Sequence, residues 1–249
     1  MKDIHNHLLY GIDDGSTSLE QSIKILNILE KGGVTDIVVT PHYIEGTNYN
    51  SNNKTKQSLL KKLQKHTKIK LYLGQESYID NNLIELIQKD EISTINNTKY
   101  LLIEFPLTEK LEYANNIIFN LRDKGYIPII AHPERYHYLN LEDFIYLKDI
   151  GCLLQGNITS LVGKYGINAK KNLILLLKKH MIDVLGTDNH GHYINIEECL
   201  DKLNKIIDTN YQKEITDINF NKIINNEKIT INKIVKTKNI LGEKIRWKK

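Results

Sequence analysis

Short apolar runs recur along this chain, separated by longer stretches in which the apolar positions fall every three or four residues. Residues such as Ile37-Val38-Val39, Tyr100-Leu101-Leu102-Ile103 and Ile127-Pro128-Ile129-Ile130-Ala131 form continuous runs, the pattern of strands buried on both faces in a parallel sheet. After an opening strand that carries His5 and His7, the spacing of Leu19, Ile23, Leu26, Ile28 and Leu29 predicts a helix. Ser16-Thr17-Ser18 opens it and Gly32-Gly33 closes it.

The alternation continues. Strands are expected over Val34 to His42, Lys70 to Glu76, Lys99 to Phe105, Ile127 to Ala131, Gly151 to Gly156 and Ile182 to Gly186. Helices are expected over Gln57 to His66, Asn81 to Lys89, Glu109 to Lys124, Leu141 to Asp149, Asn168 to His180 and Ile194 to Tyr211, with a short one after Thr216. The polar, Asn-rich stretch from Tyr43 to Lys56 reads as a loop long enough to be a flap. Seven strands alternating with helices imply an α/β fold with a parallel sheet, closed or nearly closed into a barrel. At 249 residues one such unit, 1–249, uses the whole chain.

Composition changes this picture little. The net charge of +4 is mostly Lys and is concentrated from Lys228 to Lys249. Without a basic stripe and stacking aromatics it predicts a solvated face and no nucleic-acid partner. The expected location is the cytoplasm, with no membrane insertion, since no N-terminal apolar segment or membrane-length run occurs. Cys152 and Cys199 have no metal-knuckle spacing and are expected to be buried or idle thiols. Oligomeric state is not encoded in any motif.

The candidate chemistry sits where the strands end. His5 and His7, two apart in an extended strand, face the same side. His42, Glu76, Glu104, His132, Asp188 and His190 each lie at or near the C-terminal end of an apolar run, and Asp14 is on the loop after the first strand. Barrel active sites assemble on that face. Nine nitrogen and oxygen ligands without Cys are too many for one ion and suit two or three, with Mn²⁺, Fe or Zn²⁺ all compatible. Left unpaired, each buried group would cost several kcal/mol. His66, His137, His180 and His192 fall in loops or near helix ends and are expected at the surface.

In order, His5-Asn6-His7, Thr40-Pro41-His42, Gly74-Gln75-Glu76, Glu104-Phe105-Pro106, Ala131-His132-Pro133-Glu134-Arg135-Tyr136 and Thr187-Asp188-Asn189-His190 resemble the motif series of the polymerase and histidinol phosphatase (PHP) superfamily. Gly11-Ile12-Asp13-Asp14-Gly15 and His132-Pro133-Glu134-Arg135-Tyr136 are most similar to its bacterial manganese-dependent protein tyrosine phosphatases of capsule and exopolysaccharide loci. The resemblance covers residues 1 to about 200. It implies a distorted (β/α)7 TIM-like barrel, a single PHP-type domain, with a trinuclear site. His5, His7, Glu76 and Asp188 would hold one ion; Glu76 would bridge to a second, bound also by Glu104 and His132; Asp14, His42 and His190 would hold the third. Asp14 and Glu104 stand where other branches use His, which leans the site towards Mn²⁺.

The implied reaction is metal-assisted hydrolysis of phosphotyrosine, in line at phosphorus. Arg135 would contact the phosphoryl group, with Asp188 or His190 assisting proton transfer. Tyr10, Tyr43 and Tyr49 are candidates to line the approach. The implied partner is the tyrosine-rich C-terminal tail of a phosphorylated bacterial tyrosine kinase. A small-molecule phosphatase of the histidinol-phosphate type would be expected to carry longer covering loops. A catalytically silent metal-binding module would be expected to lack ligands.

Overall fold

The computed structural model describes residues 1–109 and 112–230. Most of the expected Lys-rich face, together with Arg246, lies outside the described residues.

Among the described residues nine strand segments build seven staves of one parallel barrel. The first is β1 (Lys2–Asp3). The second is broken into β2 (Asp36–Val39) and β3 (His42–Tyr43), and the third into β4 (Lys70–Leu73) and β5 (Glu76–Tyr78). β6 (Tyr100–Glu104), β7 (Ile127–Ala131), β8 (Leu153–Asn157) and β9 (Val184–Gly186) complete the set. Pairing runs β1-β2-β4 in one sheet and β3-β5-β6-β7-β8-β9 in the other, parallel throughout.

The breaks have local causes. Pro41 offers no N–H to a ladder, and at Gly74 a Cβ would lie 2.7 Å from Val38 Cγ1, so only glycine lets the third stave bend against the second. Backbone bonds carry the pairing through the bends, Gly74 N–H to Val39 O at 2.9 Å and Glu76 N–H to Pro41 O at 3.1 Å. The ring closes where Ile4 N–H donates to Leu185 O (3.3 Å), Asp188 N–H to His5 O (2.9 Å) and His7 N–H to Asn189 O (3.0 Å). The expected opening strand is therefore shorter than its apolar pattern suggests: regular pairing ends at Asp3, and His5 to His7 are held by these single bonds.

Alternation then sorts the side chains. Leu101, Ile103, Ile130, Leu154 and Leu185 point outward into the core beneath the helices, while Tyr100, Leu102, Ile129, Ala131, Leu153 and Val184 fill the barrel. On β6 and β8 the inward column starts apolar and ends polar: Leu102 leads to Glu104, and Leu153 to Gln155 and Asn157. The helices α1 (Leu19–Lys31), α2 (Asn53–Gln64), α3 (Leu83–Gln88), α4 (Ala114–Asp123), α5 (Leu141–Asp149), α6 (Gly166–Lys178) and α7 (Ile196–Asn204) alternate with the staves. Beyond them α8 (Thr209–Lys213), a π-helical turn (Glu214–Ile218) and α9 (Asn219–Ile224) follow. Phe220, Ile223 and Ile224 pack against Ile4, Tyr100 and Ile129, so the C-terminal segment plugs the barrel interior at the end opposite the polar one.

Several expected boundaries move; the helix expected from Glu109 starts at Ala114. The helix expected over Ile194 to Tyr211 is two, because Asp208 accepts from Asn210 N–H (2.9 Å) and Tyr211 N–H (3.1 Å) and starts a new one. The loop expected to reach Lys56 ends at Asn52, whose side chain accepts from Thr55 N–H and caps α2. Lys56 is thereby buried, its Nζ donating to Gln75 Oε1 at 2.5 Å. Burial pulls its pKa down to about 7. Between that value and the unfolded value near 10.5 the unfolded chain holds a proton the folded one has lost, so the Lys56 contribution to stability rises with pH across this window. The stability of wild type minus that of Lys56→Met, from urea unfolding at pH 7 and 9, is expected to rise with pH, with a slope approaching about 1.4 kcal/mol per pH unit.

Candidate metal centre

The nine candidate ligands, drawn from positions as far apart as His5 and His190, come together at the C-terminal rim. Glu76, the first residue of β5, is at the centre. Its Oε2 lies 3.1 Å from His5 Nε2, 3.2 Å from His7 Nε2 and 3.1 Å from His42 Nδ1; its Oε1 is 3.0 Å from His132 Nε2. Asp188 Oδ1 is 3.4 Å from His5 Nε2, 3.5 Å from His7 Nε2 and 3.4 Å from His190 Nδ1. His132 Nε2 reaches Glu104 Oε1 at 3.5 Å, and Asp14 Oδ1 reaches His42 Nε2 at 3.5 Å and His190 Nε2 at 3.4 Å.

These contacts fit cations better than they fit a hydrogen-bonded network. Glu76 Oε2, with three imidazole nitrogens around it, accepts no well-formed hydrogen bond from the described residues, and His42 Nδ1 is likewise orphaned. Ligand atoms about 2.1 Å from a tetrahedral ion stand roughly 3.4 Å apart, close to the 3.0 to 3.5 Å found within the set His5, His7, Glu76 and Asp188. Two further sets converge: His42 with Glu76 and Glu104, and Asp14, His42 and His190 with His7. His42 thus faces two of the three groups, whereas the superfamily pattern gives it only the one with Asp14 and His190.

Electrostatics repeat the point. Burial and the neighbouring Glu76 charge push the Glu104 carboxyl up to about 8, while Glu76 is driven well below the usual carboxylate range, its burial outweighed by His5, His42 and His132. Burial and Arg135 lower His132 to about 4; burial is outweighed at His5 by Glu76 and Asp188, and at His7 by Asp13, Asp188 and Glu76, so both imidazoles are raised. Without an ion Glu104, His5 and His7 keep their protons to higher pH than usual, and an ion must displace them. Because Glu104 loses its proton only near pH 8, Mn²⁺ affinity of the stripped protein is expected to rise from pH 6 to 8, by up to about tenfold per unit for each proton released. Calorimetry in two buffers of different ionisation enthalpy checks the proton count.

Backbone strain marks two of the nine. His132 (φ 32°) and Asp188 (φ 48°), each just past a strand end, are in the left-handed region that costs non-glycine residues of order 1–3 kcal/mol.

The other expected residues sort clearly. Arg135 donates through Nη1 to Asp188 Oδ2 (3.3 Å) and stacks on the Tyr165 ring with Cζ 4.5 Å from its centroid. Its neighbour Glu134 turns away to Asn157 N–H and Ser160 Oγ. Tyr49 stacks on His42 at 5.9 Å, but Tyr43 is buried with its hydroxyl towards Glu91, so it does not line the approach; a residue one step past His42 on a strand faces outward. His66, His137, His180 and His192 are exposed. Both thiols are buried and pushed up by burial, Cys152 to about 12 and Cys199 to about 11, which leaves no thiolate nucleophile among the described residues.

Four residues without an assigned role prove to belong to the site. Asp13 Oδ2 accepts from His7 Nδ1–H at 2.8 Å and from the His42 backbone N–H at 3.0 Å, fixing one imidazole and the start of β3 together. Two adjacent aspartates in a loop carry no periodicity to rank them. Gln155 and Asn157, by contrast, were readable: they alternate with outward residues on β8 and so share the inward face. Tyr165, which donates to Asp188 Oδ2 at 2.7 Å, comes from a loop with no such signal.

A parallel barrel whose strand ends gather five imidazoles and four carboxylates is an α/β barrel protein with a candidate metal centre at its rim. The chain belongs to the family described as capsular polysaccharide synthesis, CpsB/CapC, whose sequence model matches residues 1–225. CapC of Staphylococcus aureus is 39% identical over 198 residues, 77% of each chain. The tyrosine-protein phosphatase YwqE of Bacillus subtilis is 33% identical over 198 residues, 77% of this chain and 78% of that one. A crystal structure from a study of YwqE and of CpsB from Streptococcus pneumoniae, described as unique metal-dependent tyrosine phosphatases, superimposes with a TM-score of 0.84 at 28% identity, over 94% of this chain and 98% of that one. The phosphotriesterase homology protein of Escherichia coli, at a TM-score of 0.59 and 11% identity over 88% and 96% of the two chains, shares the fold alone.

Proposed function

We propose that this chain is a metal-dependent protein tyrosine phosphatase of capsule synthesis, acting on phosphotyrosine in the C-terminal tail of a bacterial tyrosine kinase. Two to three divalent ions, Mn²⁺ before Fe or Zn²⁺, are the cofactors proposed, held by His5, His7, Asp14, His42, Glu76, Glu104, His132, Asp188 and His190. The observation that carries this reading is the ring of imidazole nitrogens around Glu76 Oε2, with Arg135 next to the same cluster through Asp188. The family and its named relatives support the activity.

Bound ions supply an acidified water and neutralise charge on the phosphoryl oxygens. The chain's own groups do the rest. Arg135, preset by its stack on Tyr165, presents a planar pair of donors to the phosphoryl group. A phenol with a pKa of about 10 leaves without a strong acid, and His190, partly exposed at the rim, assists the proton transfer; Asp188, expected to share that role, has Oδ2 taken up by Arg135, Asn157 and Tyr165 and serves as a ligand instead. Asp14, His42 and His190 lie at the open edge, so a tyrosine on a flexible tail can reach the centre from outside. The described helices include none long and apolar enough to cross a membrane.

The test is turnover by metal-stripped protein restored in turn with Mn²⁺, Fe²⁺, Zn²⁺ or Mg²⁺, comparing a phosphotyrosine peptide with histidinol phosphate. A strong preference for the peptide is expected. Equal turnover of the two would remove the substrate assignment.

A further inference from the structure

Strand β8 contributes no candidate ligand, yet its two inward polar side chains join two of them. The Gln155 side-chain oxygen accepts from the His132 backbone N–H at 3.3 Å, and a backbone N–H can only donate, so the orientation of this amide is fixed. His5 Nδ1 lies 2.8 Å from the same oxygen and must therefore be the donor, which in the neutral imidazole leaves Nε2 as the lone-pair nitrogen facing Glu76 and Asp188. At the other end Asn157 Nδ2 is 2.7 Å from Asp188 Oδ2, a carboxylate oxygen that can only accept. The middle link then has one possible direction, Gln155 Nε2–H to Asn157 Oδ1 at 2.9 Å.

We infer that Gln155 and Asn157 are positioning residues whose amides form a one-way hydrogen-bond chain from His5 to Asp188, setting the tautomer of the first and leaving only Oδ1 of the second free for an ion. The inference rests on the metal-centre reading above and goes beyond it, to groups that touch no ion. Asp188 Oδ2 is saturated by Asn157, Tyr165 and Arg135, all donors, while Oδ1 faces His5, His7 and His190. The neighbouring backbone is shaped to admit the chain: at Gly186 a Cβ would lie 2.6 Å from His5 Cβ and 3.0 Å from Gln155 Nε2. Alternation on β8 puts both amides on the inner face, one period apart, so the spacing His5 to Asp188 is bridged by a single strand.

The experiment titrates metal-stripped wild type, Gln155→Met and Gln155→Glu with Mn²⁺ by calorimetry and follows the His5 Nδ1–H proton by NMR in the diamagnetic Zn²⁺-loaded proteins. Gln155→Met, close in shape but without acceptor or donor, is expected to bind Mn²⁺ about 10–100-fold more weakly and to lose the slowly exchanging His5 proton. Gln155→Glu keeps the acceptor and is expected to keep that proton. Wild-type affinity in Gln155→Met with a protected proton overturns the inference. So does an unprotected His5 Nδ1–H in loaded wild type, a result that needs no variant to fold. Wild type taking up neither Mn²⁺ nor Zn²⁺ would instead overturn the metal-centre reading itself.

Discussion

Glu76→Gln is expected to lower kcat on a phosphotyrosine peptide by about 10³-fold or more, with the fold retained. Among the described residues Glu76 is the one side chain in contact with His5, His7, His42 and His132 at once, through both its oxygens. An amide of the same size keeps the packing but offers one weak acceptor and two donors to nitrogens that themselves need a cation or an anion. Metal charge stabilisation is worth several kcal/mol at a phosphoryl group, and about 4 kcal/mol corresponds to a factor of 10³ in rate. Metal content by atomic emission, kcat and the far-UV circular dichroism of the same preparation separate the possibilities. Loss of metal and activity with an unchanged spectrum is the expected result; a variant that keeps its ions and its rate would remove Glu76 from the centre of the site.

Much of this arrangement is legible in the sequence because a buried parallel strand leaves a simple trace. Tyr100-Leu101-Leu102-Ile103 is apolar on both faces, and the first polar residue after it, Glu104, has to be where the barrel opens. The same reasoning locates His132 and comes within two residues of His42 and one of Asp188, where Thr40 and Thr187 are the first polar positions, and alternation pairs His5 with His7. What the pattern hides are features made by contacts distant in sequence. The bend at Gly74 exists because Val38 stands behind it, and the plug formed by Phe220 and Ile223 is apolar in a way any amphipathic helix would be. The start of α2 at Asn53 is a cap in a stretch crowded with Asn, several of which would serve equally. Asp13 and Asp14 illustrate the limit most directly. Adjacent and chemically identical, they differ only in that the first turns inward to His7 while the second stays half exposed beside His42 and His190.

Arg135→Ala is expected to lower kcat about 10²–10³-fold, the cost of losing one preorganised donor set to a developing phosphoryl charge, while leaving Mn²⁺ stoichiometry unchanged. The guanidinium is positioned by two contacts, the 3.3 Å bond to Asp188 Oδ2 and the stack on Tyr165, and neither uses all of its five donors. A planar fork with donors to spare, next to a cluster of carboxylates and held by an aromatic face, is built to meet a tetrahedral anion as well as to brace Asp188. Arg135→Lys separates those two roles. Lysine can keep an ion pair with Asp188 but neither the planar stack nor bidentate contact, so the variant should bind metal normally and still fall well short of wild-type kcat. Activity restored by lysine would mean that charge beside Asp188 is all that position supplies. Metal lost in Arg135→Ala, with kcat per bound ion intact, would make Arg135 a brace for Asp188 and leave the phosphoryl group to the ions alone.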